Sequence, residues 1–343
     1  MSWLERLRGI EELEDAPLDE ALVARFEQAA TGGLRPIRFS TPTFKSYSSC
    51  DMEGCGKNSF PAFSVTAGGC ALMCEHCQAK ILEPMIPATS PEMLERKVRE
   101  MIATQDLQGF LLSGGSTKRN EIRYERFYPV IERLKRDHPR LKVAIHSALL
   151  DAPRARSMAD AGVDTAMMDV IGAQETIREV YHLERPVADF EATLAALCDT
   201  TMEVVPHIVI GLHYGRILGE PAALDIVARH RVHSLVLVVI MPFYAKPGTF
   251  ATPATGDVGR IFLEARERIP DRQVLLGCAR PPGMHRRVTD AYAVMAGLDG
   301  IAFPADGALG VAHAIGRPAA QEHACCSMKT GRTIKLHPVK AMA

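Results

Sequence analysis

With 343 residues, 47% of them apolar and 24% charged, the chain has the composition of a globular protein and room for one large barrel or two ordinary domains. A formal charge of −1 argues against a global basic field of the kind that draws proteins to nucleic acid, and no apolar run approaches the roughly 20 residues of a membrane-crossing helix. The opening Met1-Ser2-Trp3-Leu4-Glu5-Arg6 mixes charges where a secretory leader has an apolar core, so a cytoplasmic protein without nucleic-acid or membrane partners is expected, and its nine cysteines point to metal or catalysis rather than disulfides.

Leu4, Leu7, Ile10 and Leu13, then Leu22, Val23 and Phe26 after Pro17, recur at helical spacing and predict helices over about the first 30 residues, as a cap on one end of a larger unit. Thr31-Gly32-Gly33 ends that pattern, and Arg38-Phe39-Ser40-Thr41-Pro42-Thr43-Phe44-Lys45 reads as an extended segment leading to Cys50 and Cys55. From Phe60 onward strand-length apolar runs alternate with amphipathic ones. The strands are predicted at 61–66, 109–113, 141–147, 163–170, 202–211, 234–241, 273–278 and 299–303. Helices are predicted near 91–104, 121–137, 153–161, 173–198, 220–230, 256–269 and 285–297, with a last one from Leu309 to Ile315. Eight such units predict an α/β fold, a closed (β/α)8 TIM-type barrel, with an open doubly wound sheet as the alternative. The expected organisation is an N-terminal helical extension at 1–45, a barrel at 46–310 that includes the Cys50–Cys55 segment, and a C-terminal helix and tail at 311–343.

Straight after the first predicted barrel strand comes Gly69-Cys70-Ala71-Leu72-Met73-Cys74-Glu75-His76-Cys77. Three cysteines at this spacing can point three thiolates at one centre, and thiolates suit an iron–sulfur cluster or zinc. A structural zinc site closes around its metal with four protein ligands. The local supply here is three, which leaves one corner open to a substrate. A zinc-stabilised binding module and a disulfide pair with a spare thiol are the bland alternatives. In a barrel, the loops that follow strands line the functional face. The basic stretch Arg133-Leu134-Lys135-Arg136-Asp137-His138-Pro139-Arg140 reads either as a dock for an acidic partner or as a solvated helix end.

The C-x3-C-x2-C loop after the first barrel strand resembles the signature of the radical SAM family. The resemblance implies a four-iron cluster on Cys70, Cys74 and Cys77, an open iron for S-adenosylmethionine, and His76 packed near the adenine. Ser113-Gly114-Gly115 resembles the family's Gly-Gly-Glu motif, which implies contact with the methionyl ammonium; Ser116 stands where the family often has an acid. Asp169, at the end of the fourth predicted strand, matches the acid that binds the ribose hydroxyls in biotin-synthase-like members. Ile210 and Gly211 resemble a segment bordering adenine, with His207 in place of its first glycine. Arg280 matches an arginine that approaches the auxiliary cluster in biotin synthase. His146, which ends the third predicted strand, and His207, within the fifth, read as structural.

Cys50-Asp51-Met52-Glu53-Gly54-Cys55 resembles the upstream cysteine run with which lipoyl synthase binds a second cluster, with Pro61 where its third cysteine would stand. The resemblance implies that Cys325, Cys326 and Ser327 complete an auxiliary four-iron cluster, with Cys278 as the rival third ligand. Together these features resemble one component of the two-protein lipoyl synthases. That implies sulfur insertion into a protein-bound octanoyl chain, with an octanoylated lipoyl-carrier protein, a second radical SAM protein and a reduced electron donor as partners. A radical SAM enzyme of another class (dehydrogenation, rearrangement or methylthiolation) is the alternative.

Overall fold

The computed structural model describes residues 1–30, 32–41, 49, 52, 59–322, 328 and 333–336, the last stretch by its backbone and Leu336. The chain begins with helices α1 (Trp3–Leu7) and α2 (Glu20–Ala29), then strands β1 (Ile37–Ser40), β2 (Ala62–Ser64) and β3 (Ile86–Pro87). Strand and helix then alternate through α3 (Pro91–Thr104), β4 (Gly109–Ser113), α4 (Tyr128–Asp137), β5 (Lys142–His146), α5 (Ala152–Asp160) and β6 (Thr165–Asp169). They continue with α6 (Gln174–Glu179), α7 (Val187–Cys198), β7 (Glu203–Ile210), α8 (Glu220–Arg229), β8 (Ser234–Val239), α9 (Thr255–Arg268) and β9 (Gln273–Leu276). The last elements are α10 (Met284–Met295), β10 (Gly300–Ala302), α11 (Ala308–Ala314), β11 (Ala319–Glu322) and β12 (Thr333–Leu336).

All eight predicted barrel strands are present and parallel to their neighbours. The single sheet runs in the order β12-β11-β1-β10-β9-β8-β7-β6-β5-β4-β2-β3, and only β12 is antiparallel to its neighbour. The result is a curled parallel sheet of 11 strands, a TIM-type half-barrel, where the sequence had predicted eight closed strands. The extra parallel strands are β1, β3 and β11. The segment predicted merely as extended from Arg38 holds β1, which pairs with β10 on one side and β11 on the other.

The strands bury alternate residues on two faces. Phe110 and Leu112, Val143 and Ile145, Leu235 and Leu237, and Val274 and Leu276 pack outward in the main core. Ala144, Met167, Val205, Val236 and Leu275 form a separate inner cluster with Phe60 and Met328. This period of two is what a pleated strand buried on both faces requires. The helices follow local rules as well. Ser90 caps α3 by accepting from the Met93 amide, with Pro91 in the first turn, and Asp151 caps α5 in the same way.

Three expectations changed in detail. The predicted helix at 121–137 starts as a helix only near Tyr128, where Pro129 sits in the first turn. The one at 173–198 breaks into α6 and α7, because Pro186 caps α7 and His182 takes a positive φ of 56°. That break carries Val180 and Tyr181 toward the cysteine loop. Finally, the N-terminal helices clad the outer helical layer rather than a barrel end. Leu22 lies within 2.7 Å of where a side chain on Gly259 of α9 would start, and Tyr292 of α10 accepts from the Asp19 amide at 2.7 Å.

Candidate active site at the carboxyl ends of the strands

The cysteine loop leaves β2 through a tight turn. Ser64 donates to the Ala67 carbonyl at 2.6 Å, Ala67 takes a φ of +51°, and the Gly69 amide donates to Thr66 O at 3.0 Å. The loop then leans on the end of β4. The Ala71 amide donates to Ser116 O at 2.8 Å, and Thr66 Oγ1 accepts from the Gly115 amide at 2.7 Å. A side chain on Gly115 would start 1.9 Å from Gly69 O and 2.6 Å from Cys70 Cα. Glycine at 115 is therefore what lets the two loops touch. The other side of the loop is fixed by the Glu75 amide, which donates to Val180 O at 2.9 Å, and by Gln78 Nε2, which reaches Met73 O and Cys74 O at 3.1 and 3.0 Å.

None of Cys70, Cys74 and Cys77 is in a disulfide. Burial, reinforced by Cys77 and Cys70, pushes the Cys74 thiol well above its ordinary range, and burial lifts Cys77 to about 11. Buried thiols of this kind give up their protons to a cation that ligates the thiolates. Among the described residues no three His, Cys, Asp or Glu side chains converge tightly enough to hold a single metal ion. A tetrahedral zinc site, with Zn–S near 2.3 Å, would need sulfurs about 3.8 Å apart. Three neighbouring thiols on one short loop fit a cluster in which each thiolate takes its own iron.

Across the mouth, the ends of β5 and β6 supply His146 and Asp169, and β7 supplies His207 in register with Asp169, all on the lumen side of their strands. Tyr181 donates to Asp169 Oδ2 at 3.3 Å, and its ring lies 5.2 Å from that of His76. His146 Nε2 stands 3.7 Å from Asp169 Oδ1, and the rings of His146 and His207 meet edge to face at 5.4 Å. Tyr181 thus links the residue before the third cysteine to the carboxylate at the end of β6, a link that sequence reasoning did not single out. Burial lowers His76 to about 4, and its Nδ1 is buried with no partner among the described residues. Burial and His146 lower His207 to about 4. Both rings are therefore neutral near pH 7.

Ser113, Gly114, Ile210 and Gly211 end β4 and β7 at the same mouth. Gly211 has a φ of +80°, and a side chain there would start 2.3 Å from Pro253. The turn after it is held by Glu220, another residue not singled out from sequence. Its buried carboxylate accepts from the Gly211 amide at 2.6 Å and the Leu218 amide at 2.8 Å.

Arg280 departs from expectation. Its Nε and Nη2 donate to the Asp290 carboxylate at 2.5 and 2.8 Å, Nη1 to Gly277 O and Nη2 also to Phe303 O. Both partners of this ion pair are fully buried. Arg280 is bound into the wall between β9, α10 and the turn after β10. The basic stretch at 133–140 is partly neutralised too: Arg133 pairs with Glu95 at 2.6 Å, and Glu95 also holds Arg99, which reaches Asp137.

The expected auxiliary ligands Cys50, Cys55, Cys325, Cys326 and Ser327 lie outside the described residues. The strands they follow do not. Ser40 at the end of β1 is in register with Glu322 at the end of β11, and the Thr41 amide donates to Glu322 O at 3.0 Å. Ser49, next to Cys50, donates to Asp306 at 2.8 Å, and Cys278 packs against Ala302 and Phe303 at the same end of the sheet.

Residues 64–216 match the family model of the Radical SAM superfamily. The fold resembles that of a methylornithine synthase (PylB), with a TM-score of 0.54 at 11% identity over 88% of this chain and 85% of that one. It also resembles HydG, a maturase of the [FeFe]-hydrogenase, with a TM-score of 0.57 at 14% identity over 88% and 67%. HydG from Carboxydothermus hydrogenoformans gives 0.51 at 17% identity over the same shares. No curated protein sequence matches the chain. A match to that superfamily's model implies a [4Fe–4S] cluster and S-adenosylmethionine, and the cysteine loop described above fits that cluster. No helix among the described residues is long and apolar enough to cross a membrane.

Proposed function

We propose that this radical SAM enzyme inserts sulfur into a protein-bound octanoyl chain, as one component of a two-protein lipoyl synthase. The observation that carries the reading is the pairing of β1 with β11: the segments bearing Cys50 and Cys55 and those bearing Cys325, Cys326 and Ser327 leave adjacent strand ends at the cysteine-loop face. Two half-sets of ligands on segments that begin side by side suit a second cluster at that mouth, and Cys278, packed against Ala302 and Phe303, is the rival for one of those places.

When bound, the cluster and S-adenosylmethionine supply the oxidising radical, and the auxiliary cluster supplies sulfide. The protein's own residues do the rest. Cys70, Cys74 and Cys77 hold the cluster. Asp169, oriented by Tyr181, offers carboxylate oxygens to a ribose, and His76 offers a ring face beside it. The inner cluster of Ala144, Met167, Val205, Val236 and Leu275 keeps water out of the lumen beneath. An octanoylated lipoyl-carrier protein is the proposed substrate, with a reduced electron donor and a second radical SAM protein as partners.

Two measurements test this. Anaerobic reconstitution is expected to give about eight irons per chain, two four-iron clusters; four irons would remove the sulfur donor. Incubation with S-adenosylmethionine, reductant and octanoyl-carrier protein, with and without a second radical SAM protein, is expected to give a sulfur-bearing adduct by mass spectrometry. The polar set of His146, Asp169, Tyr181 and His207 over the lumen favours a second reading, a radical SAM reaction of another class on a more polar substrate. Turnover of S-adenosylmethionine with no sulfur adduct would select it.

A further inference from the structure

Met328 is out of place for a residue of a C-terminal hairpin. It lies between β11 and β12, at the edge of the sheet, yet it is only 3% exposed and packs in the inner cluster with Phe60, Ala144, Met167, Val205, Val236 and Leu275. Apart from Phe60, which precedes β2, those partners lie on β5 to β9, strands that do not pair with β11 or β12.

Strand register gives this cluster its depth. Ala144, Met167 and Val205 each stand two residues before His146, Asp169 and His207 on the same face of the same strands. The His146 and Asp169 side chains are 30% and 33% exposed, whereas Ala144, Met167, Val205, Val236 and Leu275 are all at 3% or less. The lumen therefore passes from an open polar layer to a closed apolar one in a single step, with Leu111 and Val238, partly buried, lining it.

We propose that Met328 is a specificity-determining residue: together with this layer it forms the floor of the substrate pocket and sets how long an aliphatic chain the pocket takes. The inference rests on the acyl-chain reading above. An unbranched thioether is suited to the place, because it fills an irregular gap without imposing a shape on it. Each methylene that gains or loses its buried place changes affinity about fourfold.

The test uses the full chain and four proteins: wild type, Met328→Leu, Met328→Ala and Met328→Trp, each first checked for unchanged thermal unfolding. Binding of hexanoyl-, octanoyl-, decanoyl- and dodecanoyl-lysyl peptides is measured at equilibrium. Turnover with the same peptides, deuterated along the chain, is followed by deuterium in 5′-deoxyadenosine and by sulfur in the peptide. Met328→Ala is expected to shift preference to longer chains, by about fourfold per added methylene, and Met328→Trp to shorter ones. Met328→Leu is expected to keep the wild-type preference. The same length preference in all four proteins would overturn the floor. Length preference that follows residue 328, with deuterium transfer but no sulfur product, keeps the floor and rejects sulfur insertion. Sulfur product with a preference indifferent to residue 328 does the reverse, and failure of every acyl peptide to bind overturns both.

Discussion

Gly115 illustrates how little freedom the cysteine loop has. A methyl group there would start 1.9 Å from a backbone oxygen that has no room to retreat, since Gly69 is itself tied to Thr66. Gly115→Ala is expected to push the loops apart, to cost about 1–3 kcal/mol, and to lower the iron retained after reconstitution. Iron analysis beside urea unfolding checks both halves. His207 makes a different prediction. The unfolded chain takes up a proton near pH 6.5, but the buried ring resists it until about pH 4. Its contribution to stability is therefore complete above 6.5 and is lost as the pH falls from 6.5 toward 4, at up to about 1.4 kcal/mol per pH unit. His207→Asn should flatten that part of a pH series of unfolding midpoints. The spacing of the cysteines and the glycine pair were legible in the sequence because their neighbours in space are also neighbours in the motif. Tyr181 was not: it meets Asp169 and His76 only because the chain breaks between α6 and α7, with a positive φ at His182 and Pro186 starting the second helix.

At the scale of elements, the turn between β7 and α8 depends on one carboxylate. Glu220 satisfies two backbone amides in a buried place, and its loss leaves both without an acceptor. Glu220→Ala is expected to cost about 1–3 kcal/mol for each orphaned amide and to weaken S-adenosylmethionine binding, since the turn begins at Gly211. Calorimetric binding measurements on the reconstituted variant would show unchanged affinity if the turn were independent of the site. The strand–helix rhythm was readable almost throughout, because a strand buried on both faces writes continuous apolar runs and each helix a stripe. Strand β1 was readable only as extended. Its four residues gain their meaning from β10 and β11, far along the chain, and no local pattern encodes that pairing. The same holds for β12 and for Met328.

For the molecule as a whole, the buried Arg280–Asp290 pair joins β9, α10 and the turn after β10. A motif match placed Arg280 at the cofactor; three-dimensional packing gives the guanidinium a carboxylate and two carbonyls instead. Asp290→Asn alone is expected to cost about 3–5 kcal/mol, because it strands a buried charge. The double variant Arg280→Met with Asp290→Leu should recover most of that in chemical denaturation and keep cluster binding. Loss of S-adenosylmethionine cleavage in a stable double variant would return Arg280 to the site.

The position of β1 in the sheet bears on how the chain is made. Residues 37–40 emerge early from the ribosome, but the strands on either side of them, at 300–302 and 319–322, follow some 260 residues later. Until then both edges of β1 expose unanswered amides and carbonyls, open to the wrong strand of the same chain or of another. Biogenesis therefore has a built-in waiting period, and the seam between β1 and β11 is among the last joints of the molecule to be sealed.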